Sequence, residues 1–300
     1  MKVVSDNVQQ PRPSGFDVIE TGASLGAEVR GLDLRHITSG QAEDIRRIWN
    51  RYSVLLFRNQ SLSNLDLLNF SRRLGALDIA PIQENGRRFV DDHPELYVVS
   101  NVTVNGEAIG SLGSGEAVWH TDMSYLDQPP MASSLYAVEI PEHGGNTHFC
   151  CMSSVYGAFP EAMKRRLSTL RIKHDGTYNS GGFVRHGLKE TDDPRTSPGA
   201  VHPLVCAHPE TGRKALYVGR RRNSYIMGLE LADSEELLND IWLHIENKRH
   251  AWEHSWRIGD LVLWDNRSTM HRRDPFDASA RRIMYRTQIK GDQRPSETAN

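Results

Sequence analysis

Four consecutive apolar residues, Leu261-Val262-Leu263-Trp264, sit between the turn Ile258-Gly259-Asp260 and the polar pair Asp265-Asn266. A run this short and this uniformly apolar has no wet helical face, and it reads as a strand buried on both sides. Ser53-Val54-Leu55-Leu56-Phe57-Arg58 repeats the pattern near the start of the chain. Ala27 to Leu34 alternates like a half-buried strand, and so does Arg282 to Thr287. Further strands are expected at Phe16–Ile19, Leu96–Val102, Ala132–Ile140, Asn146–Cys150, Ala215–Val218 and Trp252–Trp256.

Helices fall between these strands. Ser39 is the expected N-cap of one in which Ala42, Ile45, Ile48 and Trp49 recur at helical spacing. Ser63 caps a second, with Leu65, Leu67, Leu68, Phe70 and Leu74 inward. A third spans Ser154 to Leu170 with an early Pro160, and Ser234 caps a fourth that buries Leu237, Leu238, Ile241, Trp242 and Ile245. Residues 103–117, carrying Gly106, Gly110, Gly113 and Gly115, form a flexible loop, equally a candidate lid or a surface hairpin connection. Residues 173–203 are a long polar insertion draped over a scaffold. Residues 1–15, with Pro11 and Pro13, are a loose arm; 16–300 form one β-rich α+β domain.

Composition excludes several classes. Lys and Arg number 36 against 38 Asp and Glu, a net charge of −2, so no basic field recruits nucleic acid. No run of eighteen apolar residues exists to span a membrane, and the N-terminus lacks the apolar stretch of a secretory signal. Cys150, Cys151 and Cys206 make no disulfide framework and no CxxC pair, which points to a reducing cytoplasm.

The chemistry concentrates at Val118-Trp119-His120-Thr121-Asp122. On an extended strand, residues two apart leave from one face, so His120 and Asp122 offer a mixed nitrogen and oxygen ligand set. A second histidine would complete a 2-His-1-carboxylate facial triad, which holds ferrous iron and leaves open positions. By itself His-x-Asp recurs by chance. Among thirteen histidines His271 is the best third ligand, because it follows the buried strand and a tight Asp265-Asn266 turn. His36, His93, His143, His174, His186 and His208 fall in turns or polar loops and read as solvated. Arg282 and Arg286, four apart on a strand, share a face with Met284 between them. Pointing inward they would need an anion; pointing outward they would be a solvated pair. Thr147 could add a hydroxyl donor to the same carboxylate, or be a strand-former only.

Trp119-His120-Thr121-Asp122, Gly144-Gly145-Asn146-Thr147, Trp264-Asp265-Asn266-Arg267, His271 and Arg281 to Arg286 together resemble the taurine/2,4-dichlorophenoxyacetate dioxygenase family. The resemblance runs from Leu25-Gly26-Ala27 through Leu56 to Gln60 and on to the last strand. It implies a double-stranded β-helix, or jelly roll, with flanking helices. It implies iron(II), 2-oxoglutarate and oxygen as the reaction partners, with succinate and carbon dioxide as products. By position, His120, Asp122 and His271 match the iron ligands. Thr147 and Arg282, the latter eleven residues past His271, match the grip on the distal carboxylate of 2-oxoglutarate. Arg286 matches an arginine near the C1 carboxylate and, in sulfonate users, the substrate anion. A carboxylate at Asp122 favours hydroxylation over halogenation, which would need that position vacated.

The implied substrate is a small organic anion: an aryloxyalkanoate, a sulfonate or another carboxylate. Taurine users carry a gripping histidine after the second helix; Leu77-Asp78-Ile79-Ala80-Pro81-Ile82 has none, which disfavours taurine. Asn101, Met123, Arg286 and the cluster Arg220–Arg222 are candidates for the substrate wall, the cluster equally for a surface or subunit contact. The expected assembly is a homo-oligomer, dimer or tetramer. Two other classes compete: a β-barrel that binds metal and anion without turnover, and a zinc hydrolase built on the same three ligands.

Overall fold

The computed structural model describes residues 15–83, 86–191 and 193–299. The loose arm expected at 1–15 lies, but for Gly15, outside the described residues. An eight-stranded sheet runs, in spatial order, Asp17–Glu20, Ala27–Arg30, Val54–Phe57, Leu261–Asp265, Ala132–Glu139, Ile283–Ile289, Tyr97–Ser100 and Ser111–Leu112. Strands from both ends of the chain therefore meet in one sheet. Leu261–Asp265 lies near its middle, between Val54–Phe57 and Ala132–Glu139, as two buried faces require.

A four-stranded sheet in the order Ala251–His254, Thr147–Cys151, Thr269–Arg273, Ala117–His120 packs on the large one. The layer between them holds Leu56, Leu135, Val262, Trp264 and Met284 from the large sheet and Phe149 and Cys151 from the small one. Strand alternation sends the neighbouring residues the other way. Leu55, Phe57, Leu261 and Leu263 pack with Ile45, Trp49, Leu67 and Phe70 of the two early helices. Cys150 and Met270 on the small sheet pack with Leu237, Leu238 and Ile241 of the late helix. The fold is a jelly roll with helices on both outer faces.

Several element boundaries differ from the sequence reading. Thr38, not Ser39, caps the first helix: its Oγ accepts from the Gln41 N–H at 3.2 Å, and the Gln41 side chain accepts from the Thr38 N–H at 2.9 Å. Both oxygens satisfy donors the first turn leaves free, and Thr38 keeps the extended backbone a cap needs. Ser63 does cap the second helix, paired reciprocally with Asp66. Leu65 is 52% exposed, because two positions before Leu67 lies the opposite helical face. Pro160 splits the third helix into Met152–Ala158 and Glu161–Leu167, since proline lacks the N–H that continuity requires. Ser234 sits inside helix Leu231–Ile245; its Oγ accepts from the Ile226 N–H at 2.9 Å and ties the preceding loop to the helix.

The first part of the glycine-rich loop is a hairpin connection, one of its two expected forms. Thr103–Val104 pairs with Glu107–Ala108 across Asn105 and Gly106, both with positive φ, as a tight hairpin demands. At Gly110 a side chain would lie 2.7 Å from the Val98 carbonyl, so glycine permits the close approach that starts strand Ser111–Leu112. The 173–203 insertion rises from paired strands Arg171–Lys173 and Val201–Pro203 and returns through Gly199, whose Cβ would strike the His174 carbonyl.

Candidate metal centre

His120 and His271 stand directly opposite each other on neighbouring antiparallel strands, which brings their ring centroids to 4.1 Å. Asp122 lies just past the end of its strand, where the Thr121 N–H donates to the Gly219 carbonyl and turns the chain inward. The potential ligand atoms of His120, Asp122 and His271 all fall within 4.8 Å of one another, and all three residues are buried. The Ser133 hydroxyl donates to Asp122 Oδ2 at 2.7 Å and accepts from Asn266 Nδ2 at 3.1 Å, so the carboxylate is held in orientation. On the other side Arg286 Nη1 donates to Asp122 Oδ1 at 3.1 Å.

The protonation states suit a divalent cation. His120 Nδ1–H donates to the Val118 carbonyl at 2.7 Å, which leaves Nε2 as the ligand atom. Burial lowers the affinity of both imidazoles for protons, His271 well below the ordinary histidine range, helped by the neighbouring His120. Burial alone would raise Asp122. Arg286 overrides it and holds the carboxyl well below the ordinary carboxylate range. Two neutral nitrogens and one anionic oxygen on one side of a cavity fit a ferrous ion.

A narrow cavity beside the centre is lined by His120, Thr147, Trp264, His271, Arg273 and Arg282, with Arg286 at its edge. Arg282 is 2% exposed, and its Nε and Nη1 find no partner within the protein. Burial, then the like charge of Arg273, push its guanidinium down to about 9. A buried cation without a counterion is a costly arrangement that a dicarboxylate would relieve. Thr147 Oγ accepts from Trp256 Nε1 at 2.9 Å, so its own proton is free for a ligand oxygen.

Asn101 does not line either cavity at the centre. Its Oδ1 accepts from the Arg282 N–H at 3.0 Å, and its Nδ2 donates to the Ala280 carbonyl at 2.7 Å. Its amide thus fixes the backbone at Arg282, just before the strand that carries Arg286, a structural part rather than a wall of the substrate space.

A wider cavity opens from the same centre. His120, Asp122, Met123, Arg220 and Arg286 form one part of its lining, and Pro81, Ile82, Phe89, Tyr97 and Leu112 supply its apolar surface. Met123 takes a positive φ of 48° where the chain turns after Asp122. The insertion contributes Asn179, Ser180, Val184, Arg185 and His186. The Arg220–Arg222 cluster divides: only Arg220 reaches the cavity, Arg221 pairs with Glu235 and Asn239, and Arg222 lies over the Tyr178 ring.

Two histidines read as solvated are buried. His174 is 1% exposed, packed against His202 and Tyr217. His208 is 2% exposed, with Nε2 2.9 Å from Asp265 Oδ2. Sequence reasoning also passed over Ser133 and Arg273, which carry no local signal: one is a serine in an apolar strand, the other one arginine among many. A second cluster, His148, Glu253 and Asp274, could in principle hold an ion. Its groups are partly exposed and already bonded, His148 to Asp274 and Glu253 to Asn146, each at 2.7 Å.

Known proteins resemble this chain in sequence and fold. Residues 17–288 match the family described as "Taurine catabolism dioxygenase TauD, TfdA family". The chain is 32% identical to the (S)-phenoxypropionate/alpha-ketoglutarate-dioxygenase of Sphingobium herbicidovorans, over 95% of this chain and 98% of that one. It is 34% identical to the alpha-ketoglutarate-dependent 2,4-dichlorophenoxyacetate dioxygenase of Cupriavidus pinatubonensis, over 89% of this chain and 95% of that one. Among solved structures it resembles AAD-2 in complex with Mn(II) and N-oxalylglycine, with 27% identity and a TM-score of 0.76, over 93% and 99% of the two chains. The fold, the converging ligands and the matched length agree: the chain belongs to the TauD/TfdA family of dioxygenases.

Proposed function

We propose that His120, Asp122 and His271 hold iron(II), and that Arg282 and Thr147 hold the distal carboxylate of 2-oxoglutarate. The chain is an iron(II)- and 2-oxoglutarate-dependent dioxygenase, using oxygen to oxidise a small organic anion and releasing succinate and carbon dioxide. The observation that carries the residue assignment is the meeting of a buried, unpartnered Arg282 and the three-ligand cluster at one cavity. When bound, the iron supplies oxygen activation and the oxidising power for a C–H bond. The protein's part is placement. Ser133 and Asn266 orient Asp122, the Val118 carbonyl fixes the His120 tautomer, and Trp256 aims the Thr147 hydroxyl. Trp264, Leu135 and Val99 keep water from the co-substrate cavity. Arg286 donates to Asp122 and lines the same cavity, where it would stand near the C1 carboxylate of the keto acid.

For the substrate we propose an aryloxyalkanoate, a sulfonate or another carboxylate. Phenoxypropionate and 2,4-dichlorophenoxyacetate in the relatives' names support the first. Pro81 and Ile82, in the segment after the second helix where taurine users carry a gripping histidine, turn an apolar surface to the cavity, which speaks against taurine. We read residues 16–300 as one domain, since the large sheet draws strands from both ends. A cytoplasmic location is supported by three buried free cysteines, and no described helix is long and apolar enough to cross a membrane. For assembly we propose a homo-oligomer, dimer or tetramer; sedimentation equilibrium gives the mass, and a monomer would set this aside. The activity test is succinate formation from 2-oxoglutarate with iron(II), oxygen and 2,4-dichlorophenoxyacetate. Stimulated, iron-dependent succinate release is expected; turnover with zinc in the absence of oxygen would contradict the reading.

A further inference from the structure

Besides Arg286, the wide cavity contains two cations, Arg220 and Arg185, that the reaction's co-substrate does not need. Arg220 is 9% exposed, its Nη1 donates to the Tyr178 carbonyl at 2.7 Å, and its Nε has no partner. Among the described residues it makes no ion pair. Arg185 donates to the same Tyr178 carbonyl through Nε at 3.2 Å and lies over the Tyr125 ring at 4.4 Å. One backbone oxygen thus gathers two guanidinium groups, and Arg185 also lacks an acidic partner among the described residues. The like charges repel. Asp175 and Asp122 offset this through space, but neither lies within ion-pair distance of Arg220. Arg286, the other arginine of the cavity, is already engaged with Asp122.

Burying a cation against another cation is unfavourable unless an anion joins them. Both forks line the cavity that opens on His120 and Asp122, and an apolar surface containing Phe89, Tyr97 and Leu112 shares it. Phe89 and Tyr97 pack with ring centroids 4.3 Å apart and planes tilted by 46°, an aromatic wall suited to an apolar body.

We propose that Arg220 and Arg185 form the clamp for the oxyanion of the primary substrate, an amphiphilic anion whose aromatic or bulky apolar body rests on Phe89 and Tyr97. This rests on the dioxygenase reading above. Arg220 is the inner, specificity-determining contact, and Arg185, brought by the insertion, closes the outer side. The insertion therefore carries half of the recognition site. A carboxylate, sulfonate or sulfate head shares the chemistry the clamp reads.

The test is equilibrium binding by calorimetry to the full-length protein loaded with Mn(II) and N-oxalylglycine, which needs no turnover. The probes are 2,4-dichlorophenoxyacetate, an aryl sulfonate, an aryl sulfate and the neutral 2-(2,4-dichlorophenoxy)ethanol. Arg220→Met should weaken the best-bound anion at least about thirty-fold, as removal of one partner of a buried charge pair does. The alcohol and N-oxalylglycine should bind as to the wild type, and Arg220→Lys should recover part of the loss. Arg185→Met should weaken the anion less, in the same direction. Equal weakening of anion and alcohol, a loss confined to N-oxalylglycine, unchanged anion binding, or no anion bound by the wild type would each overturn the clamp. Failure of the dioxygenase reading is seen separately, as absence of iron-dependent succinate from the wild type.

Discussion

Replacing Arg282 by methionine should separate binding from folding, because the two respond in opposite directions. Arg282 is fully enclosed, its Nε and Nη1 are unbonded, and Arg273 repels it. A methionine of similar length removes a buried unpaired charge, and buried charges replaced by apolar groups are often neutral or stabilising by about 1–4 kcal/mol. The ligand-free protein should therefore melt at the same temperature or higher. The backbone hydrogen bond to Asn101 does not involve the side chain and survives. Co-substrate binding should suffer in contrast. Losing one partner of a buried, charge-assisted pair costs about 2–5 kcal/mol, roughly thirty-fold to several thousand-fold in affinity. The assay is the 2-oxoglutarate KM from succinate release, alongside thermal melts without and with 2-oxoglutarate. Stabilisation by added 2-oxoglutarate should disappear in the variant. A melting temperature lowered by many degrees with KM unchanged would refute the reasoning and make Arg282 a structural cation.

Other outcomes follow from the same geometry. Ser133→Ala removes the hydroxyl that orients Asp122 and should weaken iron binding by about 10- to 100-fold, read by metal titration against a chelator. Gly219→Ala places a methyl group 2.1 Å from His174 Nδ1 at a φ of 66°, beside the carbonyl that holds Thr121; it should destabilise the fold by roughly 1–3 kcal/mol or more in denaturant unfolding, whereas Gly212→Ala, at a similar φ with nothing nearby, costs less. Asp265 is fully buried; burial raises it, but Arg267 and His208 hold its carboxyl below the ordinary range. Its folded affinity for protons is thus lower than its unfolded one, so its contribution is complete above the unfolded value of about 4 and fades as pH falls. Asp265→Asn should lower stability near neutrality by about 3 kcal/mol or more and flatten the acid limb of the stability curve. Burial pushes Cys206 up to about 12 and Cys150 and Cys151 upward too, so a thiol reagent should find the three slow in the native protein and fast after unfolding.

The strands that carry the site were legible because each has a strong local pattern. Leu261 to Trp264 reads as doubly buried, and it lies between two strands and two apolar layers. His120-x-Asp122 and the Arg282/Arg286 pair were visible as motifs, and their meaning depended on partners that only pairing supplies. The register that sets His271 opposite His120 is a tertiary fact with no trace in either segment. Arg220 shows the opposite limit. As one of three adjacent arginines it looks like a solvated cluster, and only the Tyr178 carbonyl of the insertion distinguishes it from Arg221 and Arg222. His174 and His208 misled for the same reason: polar flanking sequence does not reveal that Tyr217 or Asp265 lies across the chain to receive them. The cap of the first helix moved by one residue because two hydroxyls adjoin, and Thr38 and Ser39 are equivalent candidates until backbone angles choose between them.

Diffraction from crystals grown with Mn(II) and N-oxalylglycine tests the central assignment most directly. The metal should lie between His120 Nε2, Asp122 and His271, with the analogue's distal carboxylate on Arg282 and Thr147. Metal at the His148, Glu253 and Asp274 cluster instead, or an analogue seated away from Arg282, would contradict it.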